Sequence, residues 1–210
     1  MKKVFRIFTI AAIAFGMSMT VACTDDNEGG GNNNGNGGNG GNDNLPTTID
    51  ENFDNGMPAG WTCIDADGDG YNWVICSESW FGQNGFDNQG VNGTDCMMTA
   101  SYINNIGALT PDNYLVTPKI HINEGATLTY QIGATDENYY EEHYAVLVGN
   151  LNNGSFTTVG TLLTETVPQA DFTLRTIDLS AYAGQNLCIA FRHFDITDMY
   201  WMALDNVKVQ

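Results

Sequence analysis

Between Leu45 and Gln210 the chain repeats one pattern: a short run of β-branched and aromatic residues, then a cluster of Gly, Asn or Asp. No long apolar stripe at helical spacing interrupts it, so strands are the elements and turns the punctuation. The runs are Trp61–Ile64, Asn72–Ile75, Cys96–Ser101, Tyr114–Val116, Ala126–Ile132, His143–Val148, Phe156–Leu163, Leu174–Asp178, Leu187–Phe194 and Met202–Val209, with a single helical turn near Ser180–Ala183. Ten short strands imply an all-β fold, a two-layer β-sandwich, and at this length a jelly-roll layout. No internal repeat is visible, which argues against propellers and solenoids. The span from 45 to 210 suits one domain with a sizeable core.

The residues before it are of another kind. Met1-Lys2-Lys3-Val4-Phe5-Arg6 opens a basic segment, and residues 7–22 carry no charge. That order is an export signal, and the apolar stretch is shorter than the ~20 residues of a spanning helix. Thr20-Val21-Ala22-Cys23 resembles the bacterial lipobox, in which the cysteine is acylated and becomes the first mature residue, although Thr20 stands where Leu is usual. The expectation is a signal peptide over 1–22 and lipidation at Cys23, against a plain secreted protein whose Cys23 is incidental. Thr24-Asp25-Asp26 resembles the acidic tag that directs some bacterial lipoproteins to the outer face of the outer membrane. From Asn27 to Asn44 the chain is almost wholly Gly and Asn, a flexible tether with a reach of about 25 Å. A cell-surface location, with the membrane touched through the lipid alone, follows as an expectation.

Charge narrows the partners. Removing residues 1–22 takes Lys2, Lys3 and Arg6 and leaves 4 basic against 25 acidic residues, a net of −21. Nucleic acid is then excluded on electrostatic grounds, because its phosphates would be repelled over most of the surface. The same excess favours bound cations. Asp65-Ala66-Asp67-Gly68-Asp69-Gly70 fits D-x-D-x-D-G, where alternate carboxylates converge on one hard cation and glycine permits the sharp turn. Calcium suits such a loop. An EF-hand is excluded, since its twelfth position is Cys76 rather than Glu. The competing reading is an ion-free Asp/Gly hairpin turn joining Trp61–Ile64 to Asn72–Ile75.

Cys63, Cys76, Cys96 and Cys188 allow up to two disulfides in an oxidising compartment. Cys63–Cys76 could bridge that hairpin, while free buried thiols remain the alternative. No catalytic machinery is legible. His121, His143 and His193 sit in no nucleophile motif, and His143 and His193 read as core or edge histidines beside aromatics. With 25 acidic residues, a glycosidase-like pair of carboxylates could be picked anywhere and means nothing. Trp80-Phe81 and Tyr139-Tyr140 place aromatics in polar loops, where they would stack on sugars, anchor a protein partner or fold inward as lids.

Several segments carry a resemblance. Phe53-Asp54-Asn55-Gly56-Met57-Pro58-Ala59-Gly60-Trp61, Ile64-Asp65-Ala66-Asp67-Gly68-Asp69-Gly70-Tyr71-Asn72-Trp73, Ala100-Ser101-Tyr102-Ile103-Asn104, Pro111-Asp112-Asn113-Tyr114-Leu115-Val116-Thr117-Pro118, Glu142-His143-Tyr144-Ala145-Val146, Ala190-Phe191-Arg192-His193-Phe194 and Leu204-Asp205 resemble, in order, the cleaved-adhesin family, the adhesin modules of gingipain proteases. The resemblance implies a jelly-roll sandwich with bound calcium that attaches cells to host proteins or surfaces. It also implies a structural calcium joining the domain's two ends, with Asp54 and Asp205 at the matching positions; an Asx turn and a strand-end cap are the alternative there. The chain departs from the family in having one copy, no protease, and little Lys or Arg to cut. The leading expectation is an adhesin for host or neighbouring-cell proteins. A carbohydrate-binding module of a glycan-scavenging system is the second, and an unrecognised hydrolase the third.

Overall fold

The computed structural model describes residues 45–80 and 84–210, so Cys23, the tether and Phe81 lie outside the described residues. In chain order the strands are β1 (Ile49–Glu51), β2 (Thr62–Asp65), β3 (Val74–Ile75), β4 (Met97–Ala100), β5 (Tyr102–Ile103), β6 (Gly107–Ala108) and β7 (Asp112–Val116). They continue with β8 (Ile120–His121), β9 (Thr127–Ala134), β10 (His143–Asn152), β11 (Ser155–Thr166), β12 (Thr173–Asp178), β13 (Asn186–Phe194) and β14 (Trp201–Val209). One sheet runs β12-β9-β14-β4-β3 with β1 added on β14. The other runs β11-β10-β13-β7-β2 with β8 added on β13, and β5 with β6 forms a small separate ribbon. Pairing is antiparallel, and the chain passes repeatedly from one sheet to the other, as a jelly roll requires. All ten expected runs are strands, and the helical turn is a short 3-10 turn over Ser180–Tyr182.

The alternation of β9 shows how sequence makes this layer. Leu128, Tyr130 and Ile132 are buried, whereas Thr127, Thr129 and Gln131 between them are partly solvated. On β10, Tyr144, Val146 and Val148 enter the interlayer core, while Ala145 and Leu147 join Val116, Cys188 and Ala190 on the other face of that sheet. In β14 the alternation breaks. Met202 and Leu204 point into the core with Val207 and Val209, which a strict period of two forbids. The pairing of β14 with β9 shifts between Asp205 and Lys208, and Asn206 there has φ +50. This bulge inverts the remaining side chains so that both halves of the strand reach the core, and it leaves Asp205 fully buried.

Two expectations need correction. β2 pairs with β7 and β3 with β4, so the Asp/Gly segment crosses between the sheets and is no hairpin. Cys63 on β2 and Cys76 just after β3 therefore lie in opposite layers and do not pair. Cys76 instead faces Cys96: its N–H donates to the Cys96 carbonyl at 3.0 Å, and the Cys96 N–H donates to Cys76 Sγ at 3.4 Å. The four described cysteines are free thiols, and burial pushes that of Cys63 up to about 12.

A polar cluster lies inside one end of the sandwich. Glu142 and His193 are both fully buried, with Glu142 Oε2 2.9 Å from His193 Nε2. Glu142 Oε1 accepts from the Ser101 hydroxyl at 2.9 Å and from the Tyr200 N–H at 3.0 Å. The other imidazole nitrogen, Nδ1, lies 3.2 Å from Thr99 Oγ1 on the opposite sheet. The expectation that His193 is a satisfied core histidine is met. Truncating Glu142 would strand three buried donors or acceptors at once, so Glu142→Ala should lower unfolding free energy by about 3–5 kcal/mol in denaturant titrations, and Glu142→Gln by less.

Candidate functional site

The Asp/Gly crossover is shaped by its own side chains. Asp65 Oδ1 accepts the Gly68 N–H at 2.7 Å, Asp65 Oδ2 accepts the Gly70 N–H at 2.9 Å, and Asp69 Oδ1 accepts the Tyr71 N–H at 2.7 Å. Gly68 and Gly70 have φ of +75 and +86, where a Cβ would be strained, which is why glycine alternates with aspartate. The result is that one oxygen each of Asp65, Asp67 and Asp69 lies within 4.8 Å of the others. Asp67 is exposed, yet its carboxyl is pushed up to about 6, first by partial desolvation, then by the hydrogen bond with Asp65 and the charge of Asp69. Three acceptor-only carboxylates held this closely suit a hard divalent cation with oxygen ligands.

Asp54 and Asp205 sit elsewhere, around the segment 87–95. Asp205 Oδ2 accepts the Val91 N–H at 2.8 Å, Asp205 Oδ1 accepts the Asn206 N–H at 2.6 Å, and Asp54 Oδ1 accepts the Asp95 N–H at 3.2 Å. Burial raises the Asp205 carboxyl above its ordinary value, with the charge of Asp54 adding to it. The two aspartates thus stitch strand β14 and the residues after β1 onto one loop. Among the described residues, they do not join a third metal-binding side chain in a group as tight as that of Asp65, Asp67 and Asp69.

The aromatics divide. Trp80 is a core residue: it packs 4.5 Å from Trp201 and 5.6 Å from Phe86 by ring centroids, closing the outer face of the β14 sheet over Met98 and Ala100. That corrects its reading as a surface ligand contact, because burying two tryptophans together outweighs leaving one in water. Tyr139 is 54% exposed and lines a cleft of about 480 Å³ together with Tyr102, Asn104, Asp136, Asp198, Met199 and Tyr200. Tyr140 is half-buried beside it and does not line the cleft. Sequence reasoning missed Tyr102, Asp136, Asp198 and Tyr200; the available signal was a tyrosine near a polar residue in three segments distant in the chain, an aspartate in two of them and Asn104 in the third. His121 is tied to Asn186 at 2.7 Å and His143 to the Phe194 carbonyl at 3.0 Å, with neither placed as a base beside a nucleophile.

The fold and these sites define a β-sandwich module of the adhesin type. Residues 46–209 match the model of the Cleaved Adhesin Domain, and the chain belongs to that family. Hemagglutinin A of Porphyromonas gingivalis is 39% identical over 180 residues, which are 78% of this chain and 8% of that protein. Lys-gingipain of the same species is 36% identical over 179 residues, again 78% of this chain and 10% of that protein. The chain thus spans about a tenth of these relatives. The crystal structure of the K1 Cleaved Adhesin domain of Lys-gingipain superposes with a TM-score of 0.66 at 37% identity, covering 78% of this chain and 98% of that one.

The loop makes a pH-dependent prediction. An unfolded aspartate titrates near 3.8 and Asp67 in the fold at about 6, so between these values the folded state holds more protons than the unfolded. Its favourable contribution is therefore full below the lower value and lost as pH rises through the upper one. In chelator, the melting temperature of Asp67→Asn should fall less than that of the parent between pH 4 and pH 6, in thermal scans across that range.

Proposed function

We propose that the chain is a surface-displayed, calcium-stabilised adhesin that attaches its cell to host or neighbouring-cell proteins, anchored through lipidated Cys23 and held off the membrane by the Gly/Asn tether. One observation carries the reading: residues 46–209 match the Cleaved Adhesin Domain and cover 98% of the K1 domain, and they follow a basic then apolar N-terminal sequence and a Gly/Asn-rich stretch. The adhesin is not an enzyme; its relatives' proteolytic names belong to proteins of which it matches about a tenth. Asp65, Asp67 and Asp69 would hold one calcium, and the charge it brings would offset both the partial desolvation that chiefly raises Asp67 and the neighbouring carboxylate charge that adds to it. Asp54 and Asp205 would serve a second ion joining β14 to the N-terminal end, where the buried Asp205 carboxylate otherwise has only N–H donors to offset its charge.

Binding to surfaces coated with extracellular-matrix or blood-plasma proteins tests the attachment. The expected result is saturable binding by the full chain without matching signal on a glycan array; binding to neutral glycans alone would replace this reading with the carbohydrate-binding one. For calcium, a free concentration about 100 times the dissociation constant should raise the melting midpoint by roughly 5–10 °C, with magnesium or sodium chloride at matched ionic strength doing much less. Coincident melting curves in chelator, calcium, magnesium and salt would show that the loop is only a turn.

A further inference from the structure

The cleft beneath Tyr139 has a chemistry that selects its occupant. Three chain segments build it: Tyr102 and Asn104 from the β5–β6 ribbon, Asp136 and Tyr139 from the connection between β9 and β10, and Asp198, Met199 and Tyr200 from the approach to β14. Their relative placement is set from inside. The Tyr200 carbonyl accepts the N–H groups of Ser101 at 3.0 Å and Tyr102 at 3.4 Å, and the Ser101 carbonyl accepts the Asp198 N–H at 3.1 Å. The Met199 N–H donates to Ser101 Oγ at 3.1 Å, and the Tyr200 N–H donates to the buried Glu142. The floor of the cleft is therefore pinned to the Glu142–His193 cluster, while Tyr139 stands exposed at its rim.

Two of the polar side chains on this lining, Asp136 and Asp198, are acceptor-only carboxylates, while the hydroxyls of Tyr102, Tyr139 and Tyr200 both donate and accept. Asp136 Oδ1 takes the N–H groups of Asn138 at 2.8 Å and Tyr139 at 3.2 Å, which holds the carboxylate beside the tyrosine. The Asp198 carboxylate has no hydrogen-bond or ion-pair partner among the described residues. Asn104 Nδ2, the amide donor on the lining, already donates to Tyr200 Oη at 3.0 Å. No Lys or Arg lines the cleft. An anionic glycan needs positive charge, which this lining lacks, and a neutral sugar would leave the two carboxylate charges without a counter-charge. Carboxylates next to aromatic rings instead match a donor-only cation, since the ring face carries the negative end of its quadrupole. The formal charge of −18 for the whole chain adds long-range attraction for a basic partner.

Resting on the adhesin reading, we propose that this cleft is the recognition site of the module and that it takes lysine or arginine side chains presented by a basic segment of the partner protein. Tyr139 and Tyr102 supply aromatic contact to the cation and its aliphatic stem, and Asp136 and Asp198 supply the charge-assisted hydrogen bonds.

The test is calorimetric titration of the full chain with three capped pentapeptides, Gly-Lys-Gly-Lys-Gly, its arginine counterpart and its uncharged citrulline counterpart, beside a neutral hexasaccharide. The cationic peptides should bind and the other two should not, with a preference for arginine marking bidentate pairing and equal affinity marking a simple charge contact. Tyr139→Ala keeps every charge and removes only an exposed ring, and it should weaken binding about fivefold or more, as should Asp198→Asn. Glu124→Gln, at the far end of β9, should change affinity less than twofold. Equal losses from Glu124→Gln and Asp198→Asn with none from Tyr139→Ala would show diffuse attraction and overturn the proposal, and so would binding of the hexasaccharide in place of the peptides. Protein-coated surfaces separate the two readings. If the parent chain does not bind them, the adhesin reading fails; if it binds them and Tyr139→Ala with Asp198→Asn binds equally, the adhesin reading stands and the cleft is not its site.

Discussion

Glu142 and His193 lie buried between two sheets whose contact is mainly apolar, and much at that end of the sandwich depends on them; Tyr130 with Tyr144 and Arg175 with Glu165 are separate polar links between the layers. Apolar contact drives the layers together without fixing direction, whereas hydrogen bonds are directional. Here His193 belongs to β13, Thr99 to β4, and Glu142 reaches Ser101 and the Tyr200 N–H, so the cluster spans both sheets and the loops that close them. Removing either partner leaves polar atoms buried without water, so the sheets must close with these residues opposite one another or lose several hydrogen bonds together. Asn113, on β7, donates to Thr99 Oγ1 at 3.4 Å and extends the constraint to a third strand.

Two kinds of surface follow from this frame. At the Glu142 end, three loops are held by backbone bonds to buried groups, which lets exposed side chains such as Tyr139 and Asp198 be displayed on a fixed floor. The Asp/Gly crossover works differently, since it is shaped by its own carboxylates and glycines and owes little to the core. Between them, the bulge at Asn206 turns one strand into two half-strands facing the same core, and Asp205 is buried because of it. A loop that carries its own folding instructions is suited to a ligand that completes it. A cleft dictated by the core is suited to a partner that arrives from outside.

Sequence alone made the strands legible because each run alternates or is uniformly apolar over enough residues to outweigh local turn propensity. The additional strands, β1, β5, β6 and β8, are two or three residues long and exist through their partners, so no pattern within them could have announced them. The aspartates of the crossover were legible because their chemistry is local, but its span between sheets was not, and the proposed Cys63–Cys76 pairing failed with the hairpin it assumed. Trp80 misled for a related reason. Its neighbours Gly82, Gln83 and Asn84 are polar, but its packing partner Trp201 is far away in the chain. Glu142 follows Glu141 with nothing in the local sequence to set the two apart, and only the sandwich shows that it faces His193.

On the two proposals the acidic composition would do two separable jobs, and geometry would keep them apart. Calcium requires oxygens converging on a point, a condition that Asp65, Asp67 and Asp69 approach, with ligand atoms within 4.8 Å of one another. Asp136 and Asp198 form no such group among the described residues, and tyrosines share their lining. A small, strongly hydrated ion gains little from an aromatic wall and would have to give up water for carboxylates that do not converge. A guanidinium or ammonium on an aliphatic stem gains from both, because its charge is diffuse or its stem apolar. Discrimination between a structural metal and a basic partner thus needs no difference in charge between the two places, only the presence of rings and the spacing of the carboxylates. If both proposals hold, the same spacing would let added calcium fill the crossover and stabilise the fold while leaving the cleft open to the partner.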